Sequence, residues 1–151
     1  MEVMSDARRQ AFIDAPVDVV WELVSDVERH PEWWPKIVDV QCDGLEEGCT
    51  YREVVKTFAG EEEMKLMVER LEDCRELRIR CLSTGTFVQM LLTEAQGGTF
   101  LDARMGMEPL HWQYRVFDAV AGGRYFRSWV QATTESLSEA AARRGAAAAG
   151  R

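Results

Sequence analysis

The sequence predicts an α+β fold in which a curved antiparallel sheet of about six or seven strands wraps around a long C-terminal helix. Two observations support this fold class. Apolar and polar residues alternate with a period of two between residues 36 and 108, in segments separated by turn-forming residues. Apolar residues then recur at helical spacing after residue 124. An antiparallel sheet with one apolar face must cover that face, and the helix is its expected cover.

Two short helices are expected after a first strand. Residues 8–13 read as the strand. Residues 16–25 begin with a proline, which suits a first helical turn, and carry apolar residues at helical spacing. A second helical piece over residues 27–35 must be short, because Pro31 and Pro35 limit it.

The central part of the chain is predicted to be a meander of consecutive hairpins. Most of its strands end at turns that contain glycine, a residue that tolerates positive φ. Strands joined by such short connections pair as antiparallel neighbours. The first expected strand begins over residues 37–40 and runs to a turn at residues 43–44 or 46–48. The others are residues 50–58, 61–73, 75–83, 86–94 and 99–108.

The C-terminal part is predicted to be helical. Residues 111–121 are expected to form a helical or irregular lead-in, broken at Gly122 and Gly123. Residues 124–144 contain no helix breaker and form the long helix. The Ala-rich remainder from Gly145 is expected to fray as a flexible tail. The apolar stripe of the helix comprises Phe126, Trp129, Val130, Thr133 and Leu137.

Length and composition set the class of protein. A chain of 151 residues fits a single domain spanning residues 1–151, with its core over about residues 8–140. The net charge of −8 disfavours binding to nucleic acid or to anionic membranes in general. No run of 18 apolar residues occurs, so no integral membrane association is expected, and the N-terminus lacks a signal-peptide pattern. We therefore expect a cytoplasmic protein.

No cofactor or metal site is expected from the sequence. The four cysteines, at positions 42, 49, 74 and 81, contain no C-x-x-C motif, and no histidine lies at ligand spacing from them. They are expected to be free thiols in or near strands. A disulfide between Cys42 and Cys49, which flank a turn, is the less favoured alternative.

Four segments carry a resemblance to a known superfamily. They are IDAPVDVVW at residues 13–21, SDVERHPEWWP at residues 25–35, ERLE at residues 69–72, where polyketide cyclases carry a strand arginine, and GGT at residues 97–99. Together with the element order, they resemble the helix-grip fold of START-type lipid-binding domains, the pollen-allergen and plant-receptor group and bacterial polyketide cyclases (the SRPBCC superfamily). The resemblance covers about residues 8–140.

The resemblance implies binding of a hydrophobic small molecule, such as a lipid, polyketide or quinone-like compound, in an internal cavity between sheet and helix. A polyketide cyclase or aromatase-dehydratase acting on a poly-β-keto chain is the alternative, so catalysis stays open although a non-catalytic binder is favoured. A ribosome- or stress-associated interaction protein is a second alternative. The scaffold alone does not choose among them. The chain is expected to be a monomer or a homodimer.

Strand parity predicts which side chains line the cavity. Methionine is prominent among them and suits an adaptable apolar pocket, although methionine also fills gaps in a fully packed core, which is the alternative. The expected lining comprises Trp33, Trp34, Tyr51, Glu53, Val55, Met64, Leu66, Val68, Leu77, Ile79, Cys81, Met90, Leu92, Met105, Met107, Phe126, Trp129 and Thr133.

Arg70 is the candidate catalytic residue. It continues the parity of Leu66 and Val68, so it should point inward, where an unpaired guanidinium is costly and Glu53 is a possible partner. The resemblance to polyketide cyclases implies that such an arginine polarises a ketone. A solvent-exposed position at the strand end is the alternative. Cys81 is expected to be a small core residue and not a nucleophile.

Trp33 and Trp34 lie between two prolines at the expected mouth of the pocket. One is expected to pack inward, and the other to be exposed in a gate or in a patch that touches a membrane or a partner. Ordinary packing of both is the alternative. His30 and His111 are expected to be surface or capping residues.

Overall fold

The computed structural model describes residues 5–57, 59–109 and 111–149. It consists of a strand, two short helical segments, a six-stranded meander and a long C-terminal helical region. The elements are β1 (Ser5–Ile13), α1 (Val17–Ser25), a 3₁₀ helix (Val27–Glu32), β2 (Ile37–Gln41), β3 (Thr50–Thr57), β4 (Gly60–Glu72), β5 (Glu76–Cys81), β6 (Thr86–Ala95), β7 (Gly98–Met107), α2 (Trp112–Phe117), a π-helical turn (Asp118–Gly122) and α3 (Gly123–Ala149).

The strands of the described residues form one antiparallel sheet in the order β1-β7-β6-β5-β4-β3-β2. Strands β2 to β7 pair with their neighbours in sequence, as a meander of hairpins must. The first strand, β1, pairs with β7 and thereby closes the far edge of the meander. The predicted α+β fold with a long C-terminal helix is confirmed.

The core lies between the sheet and its helical cover. Helix α3 packs on β1 and β7, and α1 packs on α3, β6 and β7. Among the described residues, no helix backbone makes a comparable approach to β3, β4 or β5. The inward side chains of those strands are nevertheless buried, including Tyr51, Leu66, Val68 and Ile79. This half of the interior is therefore enclosed mainly by side chains and not by a closely apposed helix.

A bulge in β4 corrects the orientation expected for Arg70. In the pairing with β5, Val68 opposes Ile79 and Arg70 opposes Arg78, so Glu69 is the additional residue. An extra residue in one strand breaks the alternation of faces. Glu69 and Arg70 consequently both lie on the outer face, and the prediction that Arg70 points inward is wrong.

The sequence predicts a break at Gly122 and Gly123, but the helical region continues through both residues. Residues 112–149 run continuously from α2 through the π turn into α3, and Gly123 itself has helical dihedrals of φ −60° and ψ −43°. Gly145 also lies within α3, which extends to Ala149. Glycine costs only about 1 kcal/mol in a helix interior, and the surrounding alanines, the best helix formers, offset part of this.

Candidate functional site

The interior between sheet and helix contains buried polar atoms without a hydrogen-bond partner among the described residues. Buried polar groups in folded proteins are nearly always hydrogen-bonded, because an unsatisfied one costs roughly 1–3 kcal/mol. Two of these atoms belong to β3, one to the 3₁₀ helix and one to α3. We call this group the interior polar set: Nδ1 of His30, the hydroxyl of Tyr51, Oε2 of Glu53 and Nε1 of Trp129.

Glu53 is the one carboxylic acid of this set. It lies on β3 between Val40 of β2 and Met64 of β4 in the sheet register, and only 5% of it is exposed. Burial away from any counter-charge raises the pKa of Glu53 to about 8, because the ionised form loses its hydration. The carboxyl therefore keeps its proton near neutral pH and can donate a hydrogen bond.

Tyr51 is two residues from Glu53 on the same strand and shares its face. Its ring is buried. Burial raises the pKa of Tyr51 well above its usual value, and the neighbouring charge of Glu53 raises it further. The hydroxyl thus stays protonated and is a second donor on the sheet wall.

His30 is fully buried, which corrects the expectation of a surface or capping residue. Its Nε2 lies 2.8 Å from the carbonyl oxygen of Val24. Burial lowers the pKa of His30 to about 4, so the ring is neutral near pH 7. A carbonyl oxygen can only accept, so we assign the hydrogen to Nε2, which leaves Nδ1 as an acceptor without a donor.

The tryptophan pair is wholly internal. The Trp33 and Trp34 rings stack with centroids 5.1 Å apart, and both residues are buried, so the expectation that one is exposed is wrong. Trp33 Nε1 donates to the carbonyl of Leu23 at 3.3 Å, and Trp34 Nε1 donates to Oγ1 of Thr133 at 2.9 Å. The second hydrogen bond ties the segment after the 3₁₀ helix to α3. The ring of Trp129 follows, with its centroid 6.4 Å from that of Trp34.

Arg70 is separate from this interior. Its side chain is 65% exposed, and its Nε lies 3.9 Å from a carboxylate oxygen of Glu76. It is therefore not the partner of Glu53, which faces the opposite side of the sheet. The alternative interpretation, in which Arg70 is exposed to solvent, is the correct one.

The other expected lining residues lie on the inner side of the sheet or on α3. Cys81 is buried with its Sγ 3.7 Å from Sδ of Met64, as suits a core thiol. The chain's cysteines are free thiols. Val55, Met64 and Trp129 are partly buried and pack against the core. The fully or nearly fully buried members are Leu66, Val68, Leu77, Ile79, Met90, Leu92, Met105, Met107, Phe126 and Thr133.

Two clefts of the described surface lie outside this interior. One, of about 400 Å³, is at the rim and is lined by Trp21, Ser25, Leu45, Leu71 and Asp73. The other, of about 330 Å³, is on the outer face of the sheet beside Arg8 and Arg104. The interior polar set is closed to solvent in this conformation.

The described residues contain no cluster of three or more His, Cys, Asp or Glu side chains that could hold a metal ion. Within the same residues, no helix is long and apolar enough to cross a membrane. The interior polar set itself offers three hydrogen-bond donors and one acceptor in an apolar environment. Strand alternation identified Tyr51 and Glu53 as inward, and the helical stripe identified Trp129. Neither pattern identified His30, for which the flanking Val27 and Trp33 were the available signal.

The chain is similar to known proteins in both sequence and structure. A family model described as "Polyketide cyclase / dehydrase and lipid transport" matches residues 4–149. A crystal structure of a protein from Nitrosomonas europaea is 17% identical, with a TM-score of 0.74 over 97% of this chain and 99% of that chain. A protein from Thermus thermophilus is 15% identical, with a TM-score of 0.70 over 91% of this chain and 97% of that chain.

A third solved structure is the di-domain ARO/CYC StfQ from the steffimycin biosynthetic pathway. It is 18% identical, with a TM-score of 0.69 over 97% of this chain. This chain spans 52% of that protein. Similarity at these identities establishes the fold. No functionally curated protein matches the chain.

Proposed function

Because this chain belongs to the polyketide cyclase/dehydrase and lipid transport family, whose model matches residues 4–149, we propose that it binds a hydrophobic small molecule between β3–β5 and α3. The observation that supports this function is the interior polar set. Unsatisfied donors and an unsatisfied acceptor inside an apolar interior destabilise the unliganded protein. A ligand that pairs with them recovers that free energy on binding.

The polar set also supports a proposal about the chemistry of the ligand. The Tyr51 hydroxyl, the protonated Glu53 carboxyl and Nε1 of Trp129 are donors, whereas Nδ1 of His30 is an acceptor. The surrounding side chains are apolar and include Met64 and Met90. We therefore propose a ligand with an apolar body and at least one carbonyl or similar oxygen, as in a polyketide, a quinone or an acyl lipid.

Binding requires the interior to open, because the polar set is closed to solvent. Methionine side chains adapt their shape at low cost, so the Met-rich wall can yield to a ligand. A ligand that binds only the opened form shifts the population toward it. The affinity is then reduced by the free energy of opening.

Catalysis on a poly-β-keto chain is a second candidate, and the paired donors on β3 favour it. A ketone oxygen that accepts from both Tyr51 and Glu53 would be polarised, and negative charge that develops on that oxygen would be stabilised. These two residues, and not Arg70, are then the proposed catalytic pair. The net charge of −8 is unfavourable for contact with ribosomal RNA.

A ligand screen by thermal shift and native mass spectrometry tests the binding proposal. A naphthoquinone, an anthraquinone and palmitate serve as probes. We expect at least one carbonyl-bearing probe to raise the melting temperature. The double variant Tyr51→Phe/Glu53→Leu, which removes both donors, should bind it about tenfold more weakly, as loss of a buried hydrogen-bond pair predicts.

The matched control is Arg70→Gln, which alters an exposed residue on the outer face. It is expected to bind the probe as the wild type does. Binding of none of the probes, or loss of binding in Arg70→Gln with retention in the double variant, would contradict the proposal. Turnover of a poly-β-keto substrate that persists in the double variant would contradict the catalytic candidate only.

A further inference from the structure

The helical region before α3 presents an unpartnered apolar stripe to solvent. Trp112 is 74% exposed, Val116 is 54% exposed and Val120 is 82% exposed. They follow one another at intervals of four residues along α2 and the π turn, so they form a continuous strip on one side of the helical region. Single exposed apolar residues are ordinary, but a strip that includes a largely exposed tryptophan marks an interaction surface.

The segment that carries this stripe is basic, although the protein as a whole is acidic. The segment of residues 111–127 carries Arg115, Arg124 and Arg127, all exposed, against the single acidic residue Asp118. Lys36 adds a further cation, since its Nζ lies 4.5 Å from the ring centroid of Tyr125. The chain as a whole has a net charge of −8. The charge of this region is therefore opposite to that of the molecule.

A chain of aromatic rings joins α2, the helix that carries Trp112 and Val116, to the interior. Phe117 lies 5.6 Å from Tyr125, Tyr125 lies 6.2 Å from Trp129, and Trp129 lies 6.4 Å from Trp34, all between ring centroids. Trp129 belongs to the interior polar set. The helix that carries Trp112 and Val116 is thus linked through Phe117 to the interior.

We propose that residues 111–127 are a docking surface for an anionic lipid bilayer. The stripe of Trp112, Val116 and Val120 enters the interfacial layer, where tryptophan is favoured, and the surrounding arginines meet lipid phosphates. Each basic residue near an anionic membrane contributes favourably, and the effect fades within a Debye length. This surface does not depend on the interior ligand, although it would place the interior beside a source of hydrophobic molecules.

Charge complementarity selects the bilayer over a second copy of the chain. In a two-fold dimer the same patch meets itself, so an interface through the stripe would bring Arg115, Arg124 and Arg127 toward their own copies. Like charges opposed in this way destabilise an interface. An anionic bilayer accepts the apolar stripe and neutralises the same cations.

Vesicle flotation of the full chain tests the docking surface. Vesicles of phosphatidylglycerol and phosphatidylcholine (3:7) are compared with vesicles of phosphatidylcholine alone. We expect binding to the anionic vesicles that weakens as salt is raised. The double variant Trp112→Ser/Val120→Ser should bind at least about tenfold more weakly, since both lose apolar surface at the interface. Arg115→Gln/Arg124→Gln should lose the preference for the anionic vesicles.

The controls are matched in residue type. Leu82→Ser removes another exposed apolar side chain, 38% exposed, and Arg75→Gln removes another exposed arginine. Both should bind vesicles as the wild type does, as should Glu53→Gln, which separates this surface from the interior site. Circular dichroism confirms that each variant is folded.

Three results would overturn the proposal: wild-type protein that does not float with anionic vesicles, stripe variants that bind as the wild type does, or a wild-type dimer that Trp112→Ser dissociates in sedimentation. The last result would assign the stripe to contact between copies of the chain.

Discussion

At the scale of single residues, burial keeps two titratable groups neutral by shifting their pKa values in opposite directions. Burial disfavours the charged form of any group, so it raises the pKa of Glu53 to about 8 and lowers the pKa of His30 to about 4. Both groups are uncharged near neutral pH and are available for hydrogen bonds to a ligand. Each also makes stability depend on pH.

Replacing Glu53 by Gln should remove a loss of stability that develops as the pH rises from 4.5 to 8. The pKa of Glu53 rises from 4.5 to about 8 on folding, so the folded wild type retains a proton that the unfolded chain releases. Its contribution is therefore present below pH 4.5 and is lost as the pH rises to 8. Relative to Glu53→Gln, the free energy of unfolding of the wild type should fall by up to about 5 kcal/mol across this range.

Urea titrations of both proteins at several pH values between 4.5 and 8 measure this difference. Glu63→Gln, which alters a carboxylate paired with Arg52 on the surface, is the control and should not show it. Parallel profiles for the wild type and Glu53→Gln would show that Glu53 ionises normally.

Replacing His30 by Gln should remove a loss of stability at acid pH. The pKa of His30 falls from 6.5 to about 4 on folding, so between these pH values the unfolded chain binds a proton that the folded state does not bind. Relative to His30→Gln, the free energy of unfolding of the wild type should fall by up to about 3 kcal/mol as the pH drops from 6.5 to 4. The same urea titrations check it, with the exposed His111 replaced by Gln as the control.

At the scale of elements, the outer face of the sheet has an apolar centre of its own. Phe87 of β6 faces outward but is fully buried. The guanidinium carbons of Arg78 and Arg104 lie 4.5 Å and 5.4 Å from its ring centroid. Arg78 is also held by Glu69, the residue added by the bulge, at 3.0 Å. The bulge therefore contributes an acidic residue to the cover over Phe87.

Phe87→Ala should destabilise the protein by about 3 kcal/mol, because it leaves a cavity beneath two arginines and removes two cation–π contacts. Phe100→Ala, on an outward position of β7 that is 37% exposed, should cost about 1 kcal/mol. Urea denaturation of the two variants distinguishes them. Equal effects would mean that the arginine layer does not shield Phe87 in solution.

The junction between the π turn and α3 offers a second test at this scale. Gly123 has helical dihedrals, and a Cβ at its position would meet only the Arg127 side chain, 3.5 Å away. Gly123→Ala should therefore stabilise the protein by about 0.5–1 kcal/mol. Gly97→Ala is the contrasting variant and should destabilise it, because Gly97 has a φ of +78°. Thermal denaturation measures both, and destabilisation in Gly123→Ala would contradict a continuous helix.

At the scale of the whole molecule, local periodicity was sufficient for most of the architecture. The alternation between residues 36 and 108 reflects the pleat of a strand, so it indicates both the strands and their inward residues, as for Tyr51 and Glu53. The helical stripe of Phe126, Val130 and Leu137 is fully or almost fully buried as expected. These features depend on the local backbone geometry of a strand or a helix, so each segment shows them independently of its neighbours.

By itself, the sequence determined the α+β fold, the order of its elements and the inward face of each regular strand. Only the tertiary structure decided what depends on contacts between distant segments. Pairing of β4 with β5 creates the bulge at Glu69 that turns Arg70 outward. Trp34 and Thr133 are far apart in sequence but share a hydrogen bond in the interior, where the tryptophan pair and His30 are buried. Local patterns specify which face of an element is apolar, whereas register and burial depend on the partner that packs against it.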